Sequence, residues 1–216
     1  MQYAMTLAKG KCLAHMKSII KDKELREKFI PNYGVGCKRI LISNNYFPAF
    51  KRENVNLETT GIDHISENGI VLKDGRKLNV DTIIYGTGFK ATEFLTPMEV
   101  TGLQGKSLNQ EWHNGAEAYL GLTVKDFPNF YMLYGPNTNL GHNSIIYMLE
   151  SQFSYILDAV SALNKDNVKY LNVREAKQSG FNDKVQKKLK QTVWEKGCDS
   201  WYKTDTGKNT VNWPDF

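Results

Sequence analysis

A chain of 216 residues with 41% apolar content can bury one large core or two small ones, which excludes a disordered tail. Its formal charge of +5 lies in helical-looking runs, Lys9 to Lys28 with acidic residues interspersed and Lys184 to Lys190. That pattern fits solvated helix faces, not a nucleic-acid groove. No stretch approaches the ~20 consecutive apolar residues of a membrane span, and Met1 to Lys11 lacks the apolar run of a secretory leader. Cys12, Cys37 and Cys198 are widely spaced and form no paired metal-ligand pattern. Reduced thiols in a cytoplasmic protein are therefore expected.

Leu13, Met16 and Ile20, then Leu25 and Phe29, recur at helical spacing. Asp22 is placed to cap the second helix and Pro31 to stop it. Arg39-Ile40-Leu41-Ile42 has the apolar density of a buried strand, and Val55 and Leu57, two apart, mark a second strand candidate. Ile62, Ile65, Ile70-Val71-Leu72, the Asp74-Gly75 turn and Leu78 to Val80 predict a small antiparallel meander. Thr82 to Tyr85 reads as another buried strand, ending at Gly86-Thr87-Gly88. Residues 89 to 128 read as irregular, with turns at Pro97, Gly102, Gly105 and Gly115.

Phe130 to Tyr134 reads as a buried strand running into Gly135-Pro136. The clearest helix follows, with Ile146, Leu149, Phe153, Ile156, Leu157, Val160 and Leu163 on one face and Asn143 or Ser144 as N-cap. A short strand, Val168 to Val173, a lysine-rich helix and an aromatic tail with Trp194, Trp201, Tyr202 and Trp213 complete the chain. The class is α/β.

Gly86-x-Gly88-x-x-Ala91 nominally matches a dinucleotide fingerprint, but the fingerprint works only where a helix begins at once. Thr92 to Gly105 carries Pro97 and has no helical stripe. Gly102-Leu103-Gln104-Gly105-Lys106-Ser107 resembles the end of a P-loop, yet Val100 stands where that motif needs glycine. His15, His64, His113 and His142 show no metal spacing and read as surface or locally bonded histidines.

Several segments together resemble the Baeyer–Villiger branch of the flavin-containing monooxygenases. Pro31-Asn32-Tyr33-Gly34-Val35-Gly36-Cys37-Lys38-Arg39 is similar to the segment carrying that family's active-site arginine. Asp81 to Phe89 is similar to its inter-domain strand, with Gly86 where alanine is usual. Trp112, Tyr119-Leu120-Gly121, Phe127-Pro128-Asn129-Phe130, Gly135-Pro136-Asn137, His142-Asn143-Ser144, Glu150, Gln152, Ser200-Trp201-Tyr202 and Trp213-Pro214 follow in the family's order.

The resemblance implies a partial two-dinucleotide-domain flavoprotein fold, FAD- and NADPH-binding and Rossmann-like, whose two glycine-rich fingerprints lie upstream of Met1. On it, residues 1–36 correspond to the end of a helical insertion and residues 37–88 to the second part of the NADPH-binding domain. Residues 89–216 correspond to the return into the FAD-binding domain plus the tail.

The resemblance also implies roles. Arg39 matches the catalytic arginine over the flavin, where a permanently charged fork stabilises the negative charge of oxygen transfer to a ketone; the alternative is a strand-end arginine in a surface ion pair. Lys38 matches a cation near the 2′-phosphate of NADPH, and Trp201 an indole donor to the cofactor's nicotinamide half; the alternatives are a solvated lysine and tail packing. Gly86, Thr87 and Gly88 let backbone pass close to the flavin nucleotide. Asn143 and Ser144 begin a helix whose N-terminus faces the flavin.

The activity implied is insertion of one oxygen atom of O2 into a ketone or onto a soft heteroatom. The partners implied are an amino-terminal half, in the same or a separate chain, and a small-molecule substrate. Rival readings are a truncated, inactive binding module and an enzyme oxygenating nitrogen or sulfur. The isolated chain is expected not to retain FAD and to self-associate.

Overall fold

The computed structural model describes residues 2–141, 143–165, 168–196 and 198–215. It combines helices with a small sheet and divides into two compact units. One comprises Met1–Val35 with Ile40–Gly88, the other Gly36–Arg39 with Phe89–Phe216.

In the first unit, α1 (Gln2–Ile19) and α2 (Lys23–Phe29) are separated where the sequence places the cap: the Asp22 carboxylate accepts the Leu25 N–H at 2.8 Å. Met16 and Ile20 are buried. Phe29 meets Tyr46, Phe47 and Phe50, at or beside the short α3 (Tyr46–Ala49), edge-on, and His15 packs on Phe47 at 5.9 Å between ring centroids. The meander forms as predicted: β1 (Ile62–Ser66), β2 (Gly69–Leu72) and β3 (Lys77–Asn79) pair antiparallel in that order. Gly69 is required, because a Cβ there would lie 2.0 Å from the Leu78 carbonyl oxygen.

Arg76 follows the Asp74-Gly75 turn and donates to Asp74 and to Glu58, each at 2.7 Å. The Arg76 hydrogen bond, helped by those from Thr60, holds the Glu58 carboxyl down at about 2. A depressed carboxylate contributes stability that is complete above its ordinary value of 4.5 and is lost as pH falls through about 2. The Glu58 carboxyl carbon should therefore titrate near 2 by NMR, and Arg76→Ala should return it toward 4.5. An ordinary midpoint in the unsubstituted chain would contradict the pair.

Three strand expectations in this unit or at its edge fail. Arg39 to Ile42, Val55 with Leu57, and Thr82 to Tyr85 enter no ladder among the described residues. Leu41 is 84% exposed, Ile42 97% and Ile84 91%. A buried strand needs neighbours on both edges and a cover on each face, and apolar density alone supplies neither.

The second unit is built mostly of loops. Leu108, Ala118, Val124, Phe127 and Met132 form its core, assembled around a 3-10 turn (Leu103–Gly105) and α4 (Leu108–Glu111). Residues 89 to 128 are otherwise irregular, as expected. Phe130 to Tyr134 is not a strand: Met132 N–H donates to the Leu122 carbonyl at 2.9 Å, and Tyr134 turns at φ 57°. Val168 to Val173 is not one either; its Leu171 is held by both the backbone and the side chain of Asn129.

α5 (Ile145–Lys165) and α6 (Glu175–Leu189) match the two expected helices. α5 buries Gln152, whose amide accepts from Tyr134 N–H and donates to the Leu120 carbonyl. The apolar face of α5 is largely exposed at Ile146, Phe153, Leu157 and Val160.

The expectation of reduced thiols is corrected. Cys37 and Cys198, 161 residues apart in sequence, are joined by a disulfide with a Cα–Cα distance of 5.6 Å, and Cys12 is free and exposed. Closing so long a loop restricts the unfolded chain, so reduction should lower stability by ~2–5 kcal/mol. Denaturant unfolding followed by tryptophan fluorescence, with and without a dithiol, would measure this. Coincident curves would contradict it.

Candidate functional site

The segment Gly36–Arg39 belongs with the second unit, although the residues on both sides of it belong with the first. Gly36 enters it at φ 87°, a conformation glycine adopts freely. Cys37 is fully buried in its disulfide, which sets Arg39 two residues beyond one anchor point and Trp201 three beyond the other. Both side chains border one cavity of about 470 Å³, together with Tyr134, Asn139 and Tyr202.

Trp201 stacks on Phe89 at 6.3 Å and tilts against Tyr202 at 5.6 Å. It also borders a second cavity, of about 750 Å³. On the wall of the first, the Tyr134 hydroxyl donates to Asn139 Oδ1 at 2.7 Å, and Asn139 Nδ2 donates to Asn212 Oδ1 at 2.9 Å. Burial pushes the Tyr134 phenol above its ordinary value, while the Arg39 charge pulls it the other way.

Lys90, on the same cavity, is paired with Glu93 at 3.0 Å. Among the described residues no ion pair engages Arg39. Arg39, without an ion-pair partner among the described residues, and Trp201 thus border one space. This donor-rich wall suits an anionic or electron-rich ligand.

Arg39 and Trp201 are the expected site residues that the structure brings together. Lys38 is exposed and does not border that cavity. Gly86, Thr87 and Gly88 lie in the first unit, exposed and without regular structure. Gly88 needs glycine at φ 89°, whereas a Cβ on Gly86 would meet nothing within 4 Å. Asn143 and Ser144 are exposed just before α5, and Asn143 Oδ1 accepts the Ser144 N–H at 2.7 Å. His142 lies outside the described residues.

Tyr134 and Asn139 were not among the candidates. Their signal is modest: a phenol and an amide flanking the Gly135-Pro136 turn. Among the described residues no group of side chains could hold a metal ion, and no helix is long and apolar enough to cross a membrane.

No family model matches the chain. A Baeyer-Villiger monooxygenase of Pseudomonas aeruginosa is 44% identical over 214 residues, covering 98% of this chain and 41% of that protein. The FAD-binding monooxygenase ktnD of Aspergillus niger is 44% identical over 205 residues, covering 92% of this chain and 34% of that protein. The crystal structure of cyclohexanone monooxygenase from Rhodococcus sp. Phi1 bound to NADP+ superposes with a TM-score of 0.85 at 25% identity, over 99% of this chain and 41% of the other. The chain thus spans roughly two fifths, or less, of the length of these relatives.

Proposed function

This chain matches a fragment of the Baeyer–Villiger monooxygenase family over 98% of its residues, and we propose that it is the carboxy-terminal portion of an FAD- and NADPH-dependent enzyme that inserts one oxygen atom of O2 into a ketone. The observation that carries the reading is Arg39, without an ion-pair partner among the described residues, bordering one cavity with Trp201. When bound, FAD supplies the activation of O2 and NADPH the electrons.

The chain's own residues then have distinct tasks. Arg39 presents a planar charged fork to the negative charge of oxygen transfer, without reorganising to do so. Trp201 offers its indole N–H to a ribose hydroxyl of the nicotinamide half. Lys38 offers charge to the 2′-phosphate, and the backbone at Gly86-Thr87-Gly88 permits close approach of the flavin nucleotide. Asn143 and Ser144 open α5 at its positive end.

The exposed face of α5, with Leu41, Ile42 and Ile84, supports an amino-terminal portion as the partner that covers them, since apolar surface of this kind seeks burial. Two outcomes are expected of the isolated chain. It should self-associate in sedimentation experiments, and a dilute-stable monomer would count against the covering partner. It should also carry no stoichiometric flavin band in its visible spectrum, because pockets hold a ligand by burying most of its surface.

The activity test joins this chain to the preceding portion of the Pseudomonas aeruginosa relative and supplies NADPH, O2, a ketone and a thioether. Ester or lactone from the ketone supports the proposal. Sulfoxide alone would select the heteroatom-oxygenating reading, and no product from a flavin-loaded fusion would overturn both.

A further inference from the structure

Arg39 and Trp201 share a cavity although no helix or strand carries either of them. What the two share is a covalent neighbour. Cys37 is 0% exposed and Cys198 7%, and their bond ties the four-residue Gly36–Arg39 segment to the loop bearing Trp201. On either side of that segment the chain departs into the other unit, and Gly36 at φ 87° makes the turn into it, a conformation glycine adopts freely.

We propose that Cys37 and Cys198 are a redox-controlled positioning pair: closed, the disulfide holds Arg39 at the cavity beside Trp201; opened by a dithiol, it releases Arg39. The step is thiol–disulfide exchange. A thiolate of the dithiol attacks one sulfur, a mixed disulfide forms, and the second thiol of the reductant displaces it. Two electrons and two protons end on Cys37 and Cys198, and the reductant leaves as its own disulfide. Burial of both sulfurs makes the attack slow, so the closed form persists until the segment opens. The positioning claim rests on the function proposed above; the tie itself does not.

The first experiment uses this chain. Denatured without reductant it should show one reactive thiol, Cys12, and three after reduction; three without reductant would overturn the proposal. Limited trypsin digestion of the folded chain should cut after Lys38 and Arg39 ~10-fold faster once reduced, because cleavage tracks the open population. Cleavage within α6 should rise less than cleavage after Lys38 and Arg39, which separates local release from global unfolding. Equal rates at Lys38 and Arg39 in both redox states would overturn the tie.

The second experiment uses the flavin-loaded fusion. Dithiothreitol should leave flavin reduction by NADPH unaltered and slow oxygen transfer ~10-fold or more, reversibly, as expected when a charge is displaced from its working position. Cys198→Ser should be slow and insensitive to dithiol; should it fail to fold, the redox titration of the unsubstituted enzyme stands alone. Equal product rates in both redox states would overturn the positioning role. A protease contrast without product in either state would uphold the tie and sink the oxygenase reading instead.

Discussion

Arg39→Ala, in the fusion enzyme, is expected to spare flavin reduction by NADPH and to lower oxygen transfer by ~10²-fold or more, the usual scale for losing a stabiliser of transition-state charge. On the proposed function the separation arises because hydride delivery needs no cation at this cavity, whereas negative charge moving onto the substrate oxygen does. Arg39→Lys should recover only part of the loss, since a point charge on a flexible stem cannot reproduce the planar fork. A purely structural arginine would behave differently, costing some stability while product per flavin-loaded molecule stayed constant. Stopped-flow measurement of the two half-reactions distinguishes these outcomes. Near-normal product yield in Arg39→Ala would sink the catalytic assignment.

Gly121→Ala should be among the most damaging single changes to the second unit, at ~2–4 kcal/mol. Two penalties coincide there. The backbone sits at φ 65°, and a Cβ would lie 2.1 Å from Thr138 Cγ2 and 3.0 Å from the Pro136 carbonyl oxygen. Thr138 borders the Arg39 cavity, and its hydroxyl donates to the Gly135 carbonyl at 2.7 Å. Relief of the clash therefore moves a wall of the site. Gly86→Ala is the control: open space and an ordinary backbone angle predict a change within about 0.5 kcal/mol. Equal denaturation midpoints for the two variants would contradict the packing described around Gly121.

What the sequence made legible follows from what each signal measures. The meander and the helices were readable because alternation, helical spacing, the Asp22 cap and the Asp74-Gly75 turn are local properties. The strands expected at Arg39 to Ile42, Thr82 to Tyr85 and Phe130 to Tyr134 were not. Their apolar density reports a need for burial, whereas strand formation depends on what lies beside the segment, and at Tyr134 a positive φ breaks the extension. The Cys37–Cys198 bond was invisible because spacing in sequence carries no information about proximity in space. Arg39 and Trp201 became candidates only through resemblance; nothing in their neighbours announces a shared cavity. Tyr134 and Asn139 escaped notice for the same reason, since their hydrogen bond closes across a turn that residue types alone do not specify.

The separation of 161 residues between the bonded cysteines also sets a schedule for the nascent chain. At ~5–20 residues per second, Cys37 leaves the ribosome about 8–30 s before Cys198 follows it. Ile40–Gly88, with the meander, is synthesised within that wait, after Met1–Val35, so the first unit can complete its own fold. Throughout it Cys12, which ends exposed, is the one other thiol of these 216 residues already made. Within these residues a wrong Cys12–Cys37 bond is therefore the early competitor during biosynthesis. Removing it with Cys12→Ser should raise the yield of correctly bonded chain without touching the finished site.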